Sequence, residues 1–295
     1  MRRETETLNQ IGLVFEGGGG KGAYQIGVWK YLREKGLDRY VGGVSGTSVG
    51  ALNAVLFAAG DYSTAERIWK NISRDQILSS KAFTDTLAGA GSQAALANIW
   101  RTVSRSAIER AVNQAMGQAL FTRDGLLRIM HRYVDMRKVQ RAGIPCFATC
   151  LEISGVLPAV KRFELRCYAK NNIETILLAS SAIPIVFDPI LFDGKLYCDG
   201  GVELLGGDNT PIRPLYDRGI RFFIVVHLSR DSKVDCIKFP GACILEITPQ
   251  IDLGNLFTGT LDFSSESAMR RIEQGYKDTK RVFEEYFGAK KASRI

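Results

Sequence analysis

The sequence predicts an α/β protein built on a mostly parallel sheet between helices. Three observations carry that prediction. Short apolar runs alternate with helix-spaced segments near the start of the chain, the turns between them are rich in glycine, and further strand-like runs recur at 146–153, 160–168, 191–198, 221–227 and 243–247.

Residues 11–16 form an apolar run that leads into Gly17, Gly18, Gly19 and Gly20, which reads as a strand entering a turn. Over 23–35, Ile26, Trp29 and Leu32 recur at helical spacing, and Gly36 ends that helix. A second buried strand is expected at 40–45, followed by an Ala- and Leu-rich helix at 49–59. Ser63-Thr64-Ala65-Glu66 has the capping-box pattern, and Ala65, Ile68, Trp69 and Ile72 follow on one helical face. From 79 to 118 the composition shifts to Ala, Ser, Gly, Thr and Gln, which predicts a helical insertion. Its part from 79 to 105 is a candidate lid with arginines for lipid head groups, against the plainer reading of a helix packed on the domain. A helix at 173–182 is stopped by Pro184. Met269, Ile272, Tyr276, Val282, Phe283 and Tyr286 fall near one face of a long final helix at 263–287. No repeat or linker interrupts the chain, so residues 1–295 are expected to form a single domain.

With 45% apolar and 24% charged residues, the composition excludes disorder and fibrous repeats. The longest apolar runs, such as 222–226, fall far short of the roughly 20 residues of a spanning helix. The charged start lacks the apolar stretch of a secretory signal, so a cytoplasmic location is expected. A net charge of +8 favours polyanions or anionic membrane surfaces without choosing between them. Cys146, Cys150, Cys167, Cys198, Cys236 and Cys243 show no zinc-type spacing and are expected to be reduced core residues. Only two histidines occur, His131 and His227.

The sharpest motif is Gly46-Thr47-Ser48-Val49-Gly50, a G-x-S-x-G between an expected strand and an expected helix. In that context the serine backbone is strained, the flanking glycines Gly46 and Gly50 avoid collisions, and the hydroxyl stands at the sheet edge beside a helix N-terminus. A tight turn with an ordinary serine is the plain alternative. The stretch Gly17-Gly18-Gly19-Gly20-Lys21-Gly22 admits three readings. It contains G-x-G-x-x-G, but Val44-Ser45-Gly46 stands where a dinucleotide site wants an acid. As a P-loop it lacks the first glycine, where Phe15 stands, and the Ser or Thr after the lysine, where Gly22 stands. As a third reading, bare amides could converge on one oxygen and form an oxyanion hole.

A nucleophilic serine needs a base. His131, beside Arg132, reads as a surface or packing residue, while His227 at the end of an apolar run stays open. A desolvated carboxylate is the other choice, and Asp199, followed by Gly200 and Gly201, is the best candidate. Asp-Gly-Gly is also a common turn.

Together the three elements resemble the patatin-like phospholipases, which combine G-G-G-x-[RK]-G, G-x-S-x-G and D-G-[GA] in this chain order. Residues 179–184, ending in Pro184, and Asn209-Thr210-Pro211 are also similar to family segments, so the likeness spans about 11–215. The resemblance implies a three-layer α/β/α fold and a serine acyl hydrolase that cleaves phospholipids or other acyl-ester lipids. Ser48 would be the nucleophile and Asp199 the proton acceptor of a Ser-Asp dyad. Gly17, Gly18, Gly19, Gly20, Lys21 and Gly22 would form the oxyanion loop, and Gly200 and Gly201 would support the acid. No metal or other cofactor and no nucleic acid is implied, and peripheral contact with a membrane is. The C-terminal Lys290, Lys291 and Arg294 could share in that contact or form a solvated tail. Acyl transfer from the same acyl-serine, and nucleotide binding by the glycine loop, are the rival functions.

Overall fold

The computed structural model describes residues 11–77, 79–80, 121–184 and 186–292. The insertion expected at 79–118 and the candidate lid within it lie outside these residues, apart from Ser79 and Ser80, as do Arg294 and the side chains of Lys290 and Lys291.

In chain order the strands are β1 (Ile11–Phe15), β2 (Val41–Thr47), β3 (Ser79–Ser80), β4 (Phe121–Thr122), β5 (Cys146–Glu152), β6 (Ala159–Glu164), β7 (Ile190–Phe192), β8 (Lys195–Asp199), β9 (Phe222–Val226) and β10 (Cys243–Ile247). The helices are α1 (Ala23–Glu34), α2 (Val49–Ala58), α3 (Tyr62–Asn71), α4 (Arg74–Ile77), α5 (Asp124–Tyr133), α6 (Met136–Gln140), α7 (Lys170–Ser180), α8 (Arg213–Tyr216) and α9 (Ser265–Ala292). The main sheet runs β10-β9-β1-β2-β5-β8-β7, with β6 on β5; the pairs from β10 to β5 are parallel and the rest antiparallel. β3 and β4 form a separate antiparallel pair.

The alternation of a strand buried on both faces is visible in β1. Leu13 and Phe15 enter a large core with Ile26 of α1, Val55 of α2, Ile68 of α3, Ile176 of α7 and Ile272 of α9. Val14 enters a smaller core on the other face with Phe147, Phe223 and Leu215 of α8. One helical layer is therefore thick and the other thin. α9 lies directly on α1 because glycines open the seam: a Cβ on Gly27 would fall 1.9 Å from the Ile272 carbonyl oxygen, and one on Gly275 would fall 2.1 Å from that of Tyr24.

β5 decides the geometry of the sheet edge. β6 runs along one side of β5, so β2 and β8 share the other. β2 pairs with the first half of β5, placing Thr47 opposite Thr149. β8 comes from the opposite direction along the second half, placing Asp199 opposite Cys150. The C-terminal ends of β2 and β8 therefore meet head to head.

Several local expectations are corrected. The run at 191–198 is not one strand but the hairpin β7–β8, turned by Asp193 and Gly194 at φ 50° and 70°, the left-handed pair that Asp-Gly favours. Ser63-Thr64-Ala65-Glu66 does not cap α3. Asp61 does, accepting the Thr64 N–H at 3.0 Å, with Ser63 Oγ donating to the same carboxylate at 3.1 Å. The strand expected over 160–168 ends at Glu164 in a short 3₁₀ turn. All six cysteines are free; Cys146, Cys150 and Cys198 are core residues as expected, while Cys167, Cys236 and Cys243 are exposed.

Candidate active site

Ser48 is the junction of β2 and α2, at φ 56° and ψ −127°. A residue with a Cβ held there stores about 1–3 kcal/mol of strain, which the surroundings must overcome. They do so through Ser180 of α7, whose Oγ accepts the Ser48 N–H at 3.0 Å and donates to the Thr149 carbonyl of β5 at 2.7 Å. The flanking glycines are required by close approach. A Cβ on Gly46 would lie 2.2 Å from the Gly50 backbone, and one on Gly50 would lie 2.3 Å from the Phe15 carbonyl oxygen.

Asp199 ends β8, buried, with its N–H donating to the Ala182 carbonyl at 3.0 Å and its Oδ1 accepting the Gly201 N–H at 2.8 Å. Burial pushes its carboxyl up from 3.8 to about 6, while hydrogen bonding to the Ser48 side chain and to the Gly201 N–H draws it back. Gly200 admits β5, since a Cβ there would lie 2.4 Å from the Thr149 oxygen. Gly201 admits Asn209, whose Oδ1 would lie 2.3 Å from its Cβ.

Ser48, Asp199 and Gly201 line one cavity of about 440 Å³ together with Gly17, Gly18, Gly19, Lys21 and Asn209. Gly20 and Gly22 do not line it; they serve the backbone that holds the loop. Three loop carbonyls are pinned from behind: Glu16 O by Gln25 Nε2 at 2.7 Å, Gly20 O by Arg271 Nη1 at 3.1 Å and Gly22 O by Asn53 Nδ2 at 3.0 Å. Asn53 is itself held by Gln25 and Trp69. The Gly17 N–H is already given to the Asn209 carbonyl at 3.3 Å. Those of Gly18 and Gly19 meet no acceptor among the described residues. Burial pulls the Lys21 ammonium below its usual range, with Asp252 and Glu16 opposing.

Neither histidine lines this cavity. His131 is exposed and meets Glu174 at 3.0 Å. His227 is buried behind the glycine loop, with Nε2 at 2.7 Å from Glu246 and Nδ1 at 3.5 Å from Glu16. Glu16 also accepts from the Leu228 N–H and from Ser232 Oγ, the latter at 2.7 Å. Glu16, Ser180 and Arg271 were not singled out by pattern. Glu16 carried a signal as a carboxylate closing an apolar strand just before the glycines, and Ser180 lies in the segment 179–184 that resembles the family's, whereas Arg271 carried none. Among the described residues no three His, Cys, Asp or Glu side chains converge as metal ligands.

The sequence model of the family described as patatin-like phospholipase matches residues 13–216, more than half of the chain and all three motifs. The chain belongs to the patatin-like phospholipase family. This patatin-like chain is also 27% identical, over 217 residues, to lysophospholipase NTE1 of Cryptococcus neoformans var. neoformans serotype D, in two strains. The match covers 74% of this chain and 11% of the relative, so the chain spans about a tenth of the curated relatives it matches. Among solved structures, VipD from Legionella pneumophila superposes with a TM-score of 0.55 at 14% identity, covering 94% of this chain and 67% of VipD. That likeness is one of fold.

Proposed function

We propose that the chain is a serine acyl hydrolase of the phospholipase A or lysophospholipase type, acting through Ser48 and Asp199. The observation that carries this reading is the head-to-head meeting of β2 and β8, which sets the Ser48 hydroxyl and the Asp199 carboxylate on the same cavity as unpaired glycine amides. Lipid esters as the substrate class follow from the family and from the relative that is a lysophospholipase.

In this mechanism Ser48 Oγ attacks the ester carbonyl carbon while its proton passes to Asp199. A carboxyl raised to about 6 is a better base than an ordinary aspartate and still ionised at neutral pH. The negative charge that develops on the carbonyl oxygen is received by the Gly18 and Gly19 N–H groups, each such donor contributing roughly 3 kcal/mol, and by the N-terminal end of α2. Collapse expels the alcohol portion of the lipid, which takes the proton from Asp199 and leaves an acyl-Ser48. Water then attacks that ester, gives its proton to Asp199, and the fatty acid leaves as Ser48 regains the proton.

Peripheral contact with lipid is supported by Leu204, which lines the cavity and is half exposed. No helix among the described residues is long and apolar enough to cross a membrane. The reading invokes no metal or other cofactor.

A fluorophosphonate probe tests the nucleophile. It should label the wild type and release of fatty acid from lysophosphatidylcholine should be measurable, with both lost in Ser48→Ala. Equal labelling of the two proteins rejects Ser48.

A further inference from the structure

The family-matched stretch ends at residue 216, yet the glycine loop rests on a segment well beyond it. A Cβ on Gly19 would fall 2.2 Å from the Thr260 carbonyl oxygen, and one on Gly20 would fall 2.1 Å from that of Asp262, so the two backbones touch. Arg271 of α9 reaches into that junction and is buried at 6% exposure. Its Nη1 donates to the carbonyls of Gly20 at 3.1 Å and Asp262 at 2.8 Å. Its Nη2 donates to those of Leu253 at 3.3 Å and Thr258 at 2.7 Å, and to Asp262 Oδ2 at 3.0 Å. A planar guanidinium can span these acceptors, whereas a lysine ammonium is a point donor.

The consequence runs through two peptide planes. Arg271 holds the Gly20 carbonyl, and the N–H of that same peptide, on Lys21, donates to the Gly18 carbonyl at 3.2 Å. The Gly18 carbonyl belongs to the peptide whose other end is the Gly19 N–H. In a trans peptide the C=O and N–H point opposite ways, so fixing the carbonyl inward aims the N–H outward. We propose that Arg271 is a positioning residue for the oxyanion-binding amides, acting through the Gly20–Lys21 and Gly18–Gly19 peptides. This inference rests on the hydrolase reading of the glycine loop.

The test compares wild type, Ser48→Ala, Arg271→Lys and Arg271→Gln on a soluble short-chain p-nitrophenyl ester, with kcat per folded molecule from circular dichroism. The rate of fluorophosphonate attack, which builds a tetrahedral centre at the serine, is measured beside it. Both Arg271 variants should lose about 10- to 100-fold in kcat and in phosphonylation rate, up to the roughly 100-fold at which loss of a whole oxyanion donor begins, with KM changed less than about threefold. A minimal variant, Arg271→Ala, should regain part of its kcat in added methylguanidine. Unchanged kcat in either folded variant, a loss confined to KM, or failure of all the Arg271 variants to fold overturns the proposal and leaves Arg271 a purely structural residue. If instead Ser48→Ala keeps wild-type turnover, the hydrolase reading is what has failed.

Discussion

Replacing Asp199 by Asn should inactivate the protein and stabilise it. Burial raises the Asp199 carboxyl from 3.8 to about 6. At roughly 1.4 kcal/mol for each tenfold change in proton affinity, ionising it in the folded chain costs about 3 kcal/mol more than in the unfolded one. Because the folded value lies above the unfolded one, the folded protein binds the proton more tightly. The associated stability is present below about pH 4 and is lost as pH rises to about 6. Asn is neutral throughout, so Asp199→Asn should exceed the wild type by up to about 3 kcal/mol at pH 7.5, and by less than about 1 kcal/mol at pH 4. For 295 residues, the larger figure corresponds to a Tm rise of roughly 5 °C. Removing the base should lower kcat/KM by about 10²–10⁴-fold. In the wild type, log kcat/KM should fall with unit slope below about pH 6, where the carboxyl becomes protonated. Urea titrations of both proteins at pH 7.5 and pH 4 measure the gap. An Asn variant less stable than the wild type at pH 7.5, or a gap equal at both pH values, refutes the reasoning.

Ser180→Ala strips the Ser48 N–H and the Thr149 carbonyl of their shared partner. It should cost about 2–3 kcal/mol in a urea melt and lower kcat, since nothing else named holds the Ser48 amide. Ser48→Gly and Ser48→Ala should be equally inactive, but the glycine variant should be more stable by about 1 kcal/mol because it is unstrained at φ 56°; an alanine variant of equal or higher Tm counts against stored strain. Burial alone would lower the His227 pKa, but Glu16 and Glu246 outweigh it and raise it above 6.5. The stability from that pairing is fully present below pH 6.5 and is lost as pH rises through the raised value. The advantage of wild type over His227→Gln should therefore be larger in urea titrations at pH 6 than at pH 9.

Much of the fold was legible because periodicity reports the surroundings of each element. β1, α1, β2 and α2 follow from apolar spacing and glycine turns, and Ser48 follows from its place between a strand and a helix. The β7–β8 hairpin was also written in the chain, as Asp193-Gly194, but the apolar residues around that pair mimic one continuous strand. Asp61 was displaced as the cap of α3 by a capping-box pattern slightly downstream, because both offer an oxygen to a first-turn N–H.

What the chain determined by itself is the kind of groups present: a serine fit for a strained turn, a carboxylate at a strand end, and glycines fit for close approach. Tertiary structure alone decided which of them meet. The Ser48 amide finds Ser180, 132 positions away, and the Gly20 carbonyl finds Arg271, 251 positions away. Asp199 reaches the serine because β8 shares an edge of β5 with β2. Spacing within one element encodes which face is buried, whereas a hydrogen bond between elements depends on how those faces pack. For the same reason Cys243 opens an apolar run in the sequence and is exposed in the fold.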